Sequence, residues 1–317
     1  MKLLTVVASA AIYALMSAVM KEASSTGDAS VALVARYIFA CATLAPLYLA
    51  SGRPTVRTSQ LRWHLMRGGL GFAMFLCYTL ALERMPLQNA MVLNSSYLLF
   101  MPLLMLLFMR QRVGPFAVAG LVLGFTGIVV VAGAQPDGFL DWGSLLALAS
   151  GVASAGANIM VMRLRRTESS FSVVFYFFGV SLVLSIGWAL MTGHSMSMGN
   201  WWLIVAVGAL SAVYQQLLAY ALKHLSGELV SSVMASSMVF GFILDMAMFQ
   251  HFPSGRDYAG SVLILAGALV VVWANRLRAR HRPQPELPPA DRSPADRTPV
   301  AVDGPGSAKA EPAAKEA

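Results

Sequence analysis

Apolar residues run in blocks of about 20 from the third residue to about position 275, each closed by charge, glycine or proline. At a rise of about 1.5 Å per residue such a block is long enough to cross a hydrocarbon core of roughly 30 Å. The pattern predicts helices at 3–20, 29–50, 68–84, 87–109, 114–133, 143–162, 171–191, 201–222, 228–249 and 257–275. The expected fold class is therefore all-α and integral to a membrane, with ten transmembrane helices. The third and fourth helices are expected to meet at the tight turn Glu83-Arg84-Met85-Pro86, because proline suits the first turn of a helix, where no donor is needed. The first block imitates a secretory signal, with Lys2 ahead of it and small residues Ala8, Ser9 and Ala10 inside it. No soluble domain follows, so an uncleaved first helix is expected. Beyond about residue 283 the pattern stops: 283–317 is Pro, Ala and mixed charge, with eight of the chain's fifteen prolines, and reads as a disordered tail.

Composition strengthens the membrane reading. Of the 317 residues 57% are hydrophobic and only 12% charged, too few to cover a soluble surface. The net charge of +8 belongs to Lys and Arg at the ends of the apolar blocks, not along one face, which argues against nucleic acid as a partner. Lys2, Arg53, Arg57, Arg62, Arg67, Arg110, Arg112, Arg163, Arg165, Arg166, Lys223, Arg276, Arg278, Arg280 and Arg282 fall on the side of the amino terminus, against Lys21, Arg84 and Arg256 on the other. Both termini are expected to face the cytoplasm, with the chain multi-pass in the cell's inner or plasma membrane. Cys41 and Cys77 sit inside apolar blocks without metal-ligand spacing and read as small buried hydrophobes.

The chain also repeats itself at an offset of 140. Residues 120–131, GLVLGFTGIVVV, match 260–271, GSVLILAGALVV, at six of twelve positions. Without a gap the same offset pairs Ala81 with Ala221, Leu82 with Leu222, Ser96 with Ser236, Phe100 with Phe240 and Leu104 with Leu244. A repeat of five helices crosses an odd number of times, so the second copy enters the membrane inverted. Two domains are expected, 1–140 and 141–282, followed by the tail. Inverted repeats recur in secondary transporters, with the substrate near the midplane between them.

Arg36-Tyr37-Ile38-Phe39-Ala40, Tyr78-Thr79-Leu80-Ala81-Leu82, and the glycine pairs Gly120/Gly260 and Gly127/Gly267 resemble the EamA-like group of the drug/metabolite transporter superfamily. The resemblance covers residues 1 to about 280 and implies two five-helix halves and transport of a small molecule. The family often carries a proline late in each half and a glutamate thirteen residues on; Leu98 and Gln111, then Met238 and His251, stand at those places here. Pro102 lies one turn beyond the first and is expected to supply a similar kink.

Polar residues within the apolar blocks are the candidate chemistry. A charge inside a span costs roughly 2.5–3.5 kcal/mol on insertion scales, so Arg36 and Asp245 are expected to face the interior or water. They pair with each other, or Arg36 binds a substrate carboxylate while Asp245 takes an amine or a coupling proton. The structural alternatives are a clamp for Arg36 and an interfacial residue for Asp245. Asn94, Ser95, Ser96 and Tyr97 on the fourth helix and Tyr214, Gln215 and Gln216 on the eighth lie at midplane depth, where they bond to neighbouring helices or line a wet cavity. Tyr13, Tyr78 and Asn158 join them as candidates. Gln215 and Gln216 align with Phe75 and Leu76, so the two halves differ chemically at this level. The glycines fit close helix packing and not a phosphate loop, since no P-loop lysine follows.

No ATP-binding motif is present, and the five histidines fall at helix ends or connections, away from any acidic cluster. The sequence therefore points to a secondary transporter of a polar or zwitterionic metabolite, such as an amino-acid-like compound, and to export. Import of a vitamin such as riboflavin is the alternative within that class, and a sensor or partner subunit the alternative outside it. No enzyme activity, cofactor or metal is expected; the partners are the small-molecule substrate and the lipid bilayer.

Overall fold

The computed structural model describes residues 2–25, 29–50, 56–109, 114–133, 141–165, 167–193, 201–225, 230 and 233–281. Among them are twelve α-helices and no strand: α1 Lys2–Ser25, α2 Ala29–Ala42, α3 Leu44–Ala50, α4 Leu61–Leu82, α5 Leu87–Ser95, α6 Tyr97–Met109, α7 Pro115–Ala132, α8 Trp142–Leu164, α9 Ser170–Thr192, α10 Trp201–His224, α11 Ser237–Phe249 and α12 Gly255–His281. Eight stretches are long and apolar enough to cross a membrane, and two shorter apolar helices, Ser30–Pro46 and Ser237–Phe249, accompany them. The packed unit spans Met1–Leu277. The tail expected at 283–317, and the loop arginines Arg53, Arg110, Arg112 and Arg166, lie outside the described residues.

Three of the expected helices are interrupted. The second breaks at Thr43, the fourth at Ser96, and the ninth turns at Ala235 and Ser236 before α11. At Ser96 the ladder tightens to three-residue spacing: its N–H donates to Leu93 O at 3.2 Å and its O accepts from Leu99 N at 2.8 Å. Ser236 repeats this with Val233 O at 2.9 Å and Val239 N at 3.0 Å. Pro102 lies inside α6 and has no counterpart after Ser236, so proline is not the common cause of the two breaks.

The expected start of the third helix at 68 is corrected to Leu61. Charge at Arg62 and Arg67 suggests a boundary, but Arg62 lays its guanidinium over the Trp63 ring with Cζ 4.5 Å from the centroid, and His64 is buried. The first helix runs on past 20 to Ser25, carrying Lys21, whose Nζ donates to Leu82 O at 2.8 Å and Met85 O at 2.6 Å at the end of α4.

Helix starts recur at the offset of 140: Lys2 and Trp142, Leu61 and Trp201, Pro115 and Gly255. Packing recurs too. α1 lies on α10 as α4 lies on α8, α2 on α10 as α9 on α4, and α1 on α11 as α8 on α5 and α6. α7 and α12 meet antiparallel through glycine. A Cβ on Gly120 would stand 2.8 Å from Gly267 O, and one on Gly127 would stand 2.7 Å from Gly260 O. Such backbone approach is available only without side chains.

Large apolar side chains such as Leu107, Val122, Val183, Leu190, Val262 and Trp273 are more than half exposed, which suits contact with lipid tails and not with water. A groove of about 540 Å³ between α6 and α7 is lined by Leu103, Leu106, Val118, Leu121, Val122, Phe125, Thr126 and Val129, an almost wholly apolar surface with none of the candidate polar residues.

Candidate functional site

Residues 67, 71, 75 and 78 of α4, spaced by four, four and three, form one helical stripe of Arg67, Gly71, Phe75 and Tyr78. The site is built against it. Arg36 of α2 is only 1% exposed and places its guanidinium on the Phe75 ring, with Cζ 3.5 Å from the centroid. Its Nη1 donates to Ser211 Oγ on α10 at 2.9 Å and lies against the sulfur of Met16, while Nε makes no hydrogen bond of good geometry. The ion pairs among the described residues are His64–Glu168, Arg84–Glu83 and His251–Asp245, so none of these carboxylates neutralises Arg36.

Tyr13 of α1 stands between two other tyrosines: it stacks on Tyr78 at 6.3 Å between centroids and tilts against Tyr214 of α10 at 5.1 Å. Its hydroxyl donates to Asn94 Oδ1 at 3.4 Å, and Asn94 Nδ2 donates to Ser150 Oγ at 2.7 Å, which in turn donates to Ala147 O at 2.6 Å. Gly151 lets α8 come this close to the α5–α6 break, since a Cβ there would stand 2.7 Å from Ser96 Oγ and 3.2 Å from Asn94 O. Arg36, Tyr78, Asn94 and Tyr214 are thus brought together from α2, α4, α5 and α10, with Tyr13 between them.

The other candidates lie elsewhere. Ser95 turns its hydroxyl onto Met91 O of its own helix at 2.8 Å. Tyr97 opens α6 beyond the break, and Asn158 is half-buried on α8. Gln215 and Gln216 follow Tyr214 as half-buried residues, without a hydrogen bond to this cluster among the described residues. Arg36 and Asp245 do not pair. Asp245, fully buried on α11, accepts from Gln88 N at 3.1 Å and so caps α5, whose own cap residue, Pro86, has no side-chain acceptor. His251 Nδ1 is 3.7 Å from the Asp245 carboxylate and 3.4 Å from Gln88 Nε2. Beside it Asn89 Nδ2 donates to Asp257 Oδ1 at 3.0 Å. These contacts join α5 to α11 and α12 at the end of the bundle carrying the 83–86 turn.

Sequence reading missed Arg67, Phe75, Ser150 and Ser211. Arg67 was legible as a loop-side charge only, because the third helix was expected to start at 68. The stripe spacing 67–71–75–78 would have revealed it once the helix was extended.

Aromatic faces, hydroxyls and an unneutralised guanidinium are binding chemistry. No group of three or more metal-ligating side chains occurs among the described residues. The chain is similar to the pseudopaline exporter CntI of Pseudomonas aeruginosa, at 29% identity over 270 residues, covering 82% of this chain and 91% of that protein. It is similar to a riboflavin transporter of Brucella anthropi, at 25% over 278 residues, 84% and 96% of the two chains. It also matches an S-adenosylmethionine uptake transporter of Rickettsia bellii, at 23% over 241 residues, 76% and 82%. A solved crystal structure shares the fold, with a TM-score of 0.61 at 24% identity over 87% of this chain and 97% of the other. The sequence model of the EamA-like transporter family matches twice, over residues 1–133 and 141–273. The chain therefore belongs to the EamA-like transporter family: it is a multi-pass membrane protein that transports small molecules and is not an enzyme.

Proposed function

We propose that the chain is a secondary exporter of a small polar or zwitterionic metabolite, built from two inverted five-helix halves, 1–140 and 141–282, in the inner membrane with both termini cytoplasmic. The observation that carries the reading is the cluster of Arg36, Tyr13, Tyr78, Tyr214 and Asn94, in which α1, α2, α4 and α5 of one half meet α10 of the other. Substrate at such a junction is held by both halves, and alternating access follows when they exchange conformations. The recurrence of helix starts and glycine contacts at an offset of 140 supports the inverted arrangement. Similarity to an exporter supports the direction.

Asp245 is the coupling carboxylate in this reading. It ties α5 to α11 at the outer end, and one of its oxygens is buried and makes no hydrogen bond of good geometry. Protonation there would weaken the acceptor that holds α5 and release the outer end. Riboflavin import is the second reading, favoured by the three tyrosine rings, which offer flat faces to a flat ligand.

The test is flux of labelled amino acids, vitamins and chelating metabolites in sealed vesicles of purified protein, with and without an imposed pH gradient. A compound that moves with the gradient, and whose movement ceases to follow it in Asp245→Asn, is the expected result. Gradient-driven flux that survives in Asp245→Asn would remove the coupling role; no flux of any compound through folded protein would count against the transporter reading at this site.

A further inference from the structure

A second arginine lies on the same stripe and makes the site more selective than its hydroxyls and amides suggest. Arg67 sits six residues into α4, about 9 Å from its start by helical rise. An arginine at that depth would normally snorkel back to the nearer end. Arg67 goes the other way: its Nη1 stands 2.6 Å from where a Cβ on Gly71 would be, one turn farther in, and its Cζ lies 4.1 Å from the centroid of Phe177. The absence of a side chain at Gly71 makes this room. Arg67 Nε and Nη1 are out of reach of solvent and make no hydrogen bond of good geometry, and no carboxylate among the described residues pairs with them.

One turn farther along the stripe, Phe75 carries the guanidinium of Arg36. Tyr37 links the two levels, packing edge-on against Phe75 at 6.4 Å and Phe177 at 6.2 Å, and its own hydroxyl makes no hydrogen bond of good geometry. Gly71, which Arg67 overlies, and Phe75, which carries Arg36, are one turn apart, about 6 Å of helical rise. Between them the two arginines carry three solvent-shielded nitrogens that make no hydrogen bond of good geometry: Arg36 Nε, Arg67 Nε and Arg67 Nη1. The buried aspartates cannot serve them, since Asp245 caps α5 and Asp257 is held by Asn89 and Ser254. Arginine does not shed its proton to escape burial, so the shielded nitrogens of the buried Arg36 and the half-buried Arg67 favour an anion beyond their ring contacts.

We propose that the substrate is a carboxylate-bearing anion or zwitterion whose carboxylate is bound by Arg36 and Arg67 together, with the tyrosine rings of Tyr13, Tyr78 and Tyr214 against the rest of the molecule. This deepens the transporter reading and rests on it for the word substrate, though not for the binding chemistry. The planar fork of arginine matches a carboxylate in charge and geometry.

The test uses simple acids, each set against its neutral counterpart. Thermal melting of the full chain in detergent is measured with N-acetylglutamate against its diamide, N-acetylaspartate against its diamide, N-acetylhistidine against its amide, and citrate against its trimethyl ester, all at matched ionic strength. At least one acid is expected to raise the melting temperature saturably while its neutral partner does not. Its apparent Kd is expected to rise tenfold or more in Arg36→Gln and in Arg67→Gln, to recover in part in the lysine variants, and to be unchanged in Arg62→Gln on the same helix. If no acid outperforms its neutral partner on the unsubstituted protein, or if both glutamine variants respond as it does, the proposal is overturned. The comparison on the unsubstituted protein decides even should a variant fail to fold. In sealed vesicles, flux of a neutral compound untouched by Arg36→Gln would sink the carboxylate and leave transport standing. Acid binding without flux of that acid would do the reverse.

Discussion

Asp245 caps α5, and two substitutions measure that role. Its carboxylate accepts from Gln88 N where Pro86 offers no acceptor. Asp245→Asn keeps an uncharged, weaker acceptor at that place and is expected to cost less than Asp245→Leu, which leaves the Gln88 N–H buried and unmade and is expected to cost about 0.5–2 kcal/mol, read by chemical denaturation in detergent. Gly71 is the second informative residue. A valine there would meet Phe177 and the Arg67 guanidinium, so Gly71→Val is expected to displace Arg67 and lower substrate affinity at least tenfold in the flux or melting assay while the helix itself persists. The two differ in how far the sequence reveals them: Asp245 is legible as an intramembrane charge, Gly71 not at all. A capping role is set by a partner 157 positions away, and no local pattern records that.

Among the elements, the crossing of α7 and α12 has the narrowest tolerance. Gly127→Leu would drive a side chain into Gly260 O and Ile264 N and is expected to destabilise by about 1–3 kcal/mol, with Gly260→Leu at the partner position doing the same and the neighbouring exposed Thr126→Leu doing neither. At the end of α11, Gln250 holds φ 54°, the one left-handed non-glycine among the described residues, with His251 N–H closing onto Asp245 O at 3.3 Å. Gln250→Gly is expected to relieve about 1 kcal/mol of backbone strain, visible as a higher denaturation midpoint. The sequence identified these elements well, because apolar length is a strong signal, but it did not place the breaks at Thr43, Ser96 and Ser236. The breaks at Ser96 and Ser236 change three-residue against four-residue hydrogen bonding over one turn, and hydrophobic periodicity is blind to that.

Across the whole molecule, the polar contacts between α5 and the α11–α12 turn gather at one end, and another set at the opposite end links α4 and its preceding loop to the α8–α9 connection. There Thr58 donates to Glu168 at 2.6 Å, Gln60 to Thr167 at 2.6 Å, and Tyr176 to Val56 O at 3.0 Å. The arginine and tyrosine cluster lies between the two sets. A carrier that works by alternating access must break one set at a time. Cysteines at Gln88 and His251, cross-linked under oxidising conditions, are expected to block flux, and reduction to restore it; flux that continues through the cross-linked protein would show that this end does not open.

What the sequence determined by itself was the solvent, the approximate position of the apolar spans, the recurrence at an offset of 140 and the identity of the polar residues that had to be satisfied away from water. These follow from the free energy of apolar transfer and from a register of 140 residues, both local or linear properties of the chain. Only the tertiary structure decided which polar residues share a site. It set Arg36 on Phe75, turned Arg67 inward over Gly71, placed Tyr13 between Tyr78 and Tyr214, and sent Asp245 away to cap α5. The physical reason is that burying a charge or an amide is unfavourable until its partners are fixed, and those partners come from helices far apart in the chain, chosen by packing and not by sequence neighbourhood.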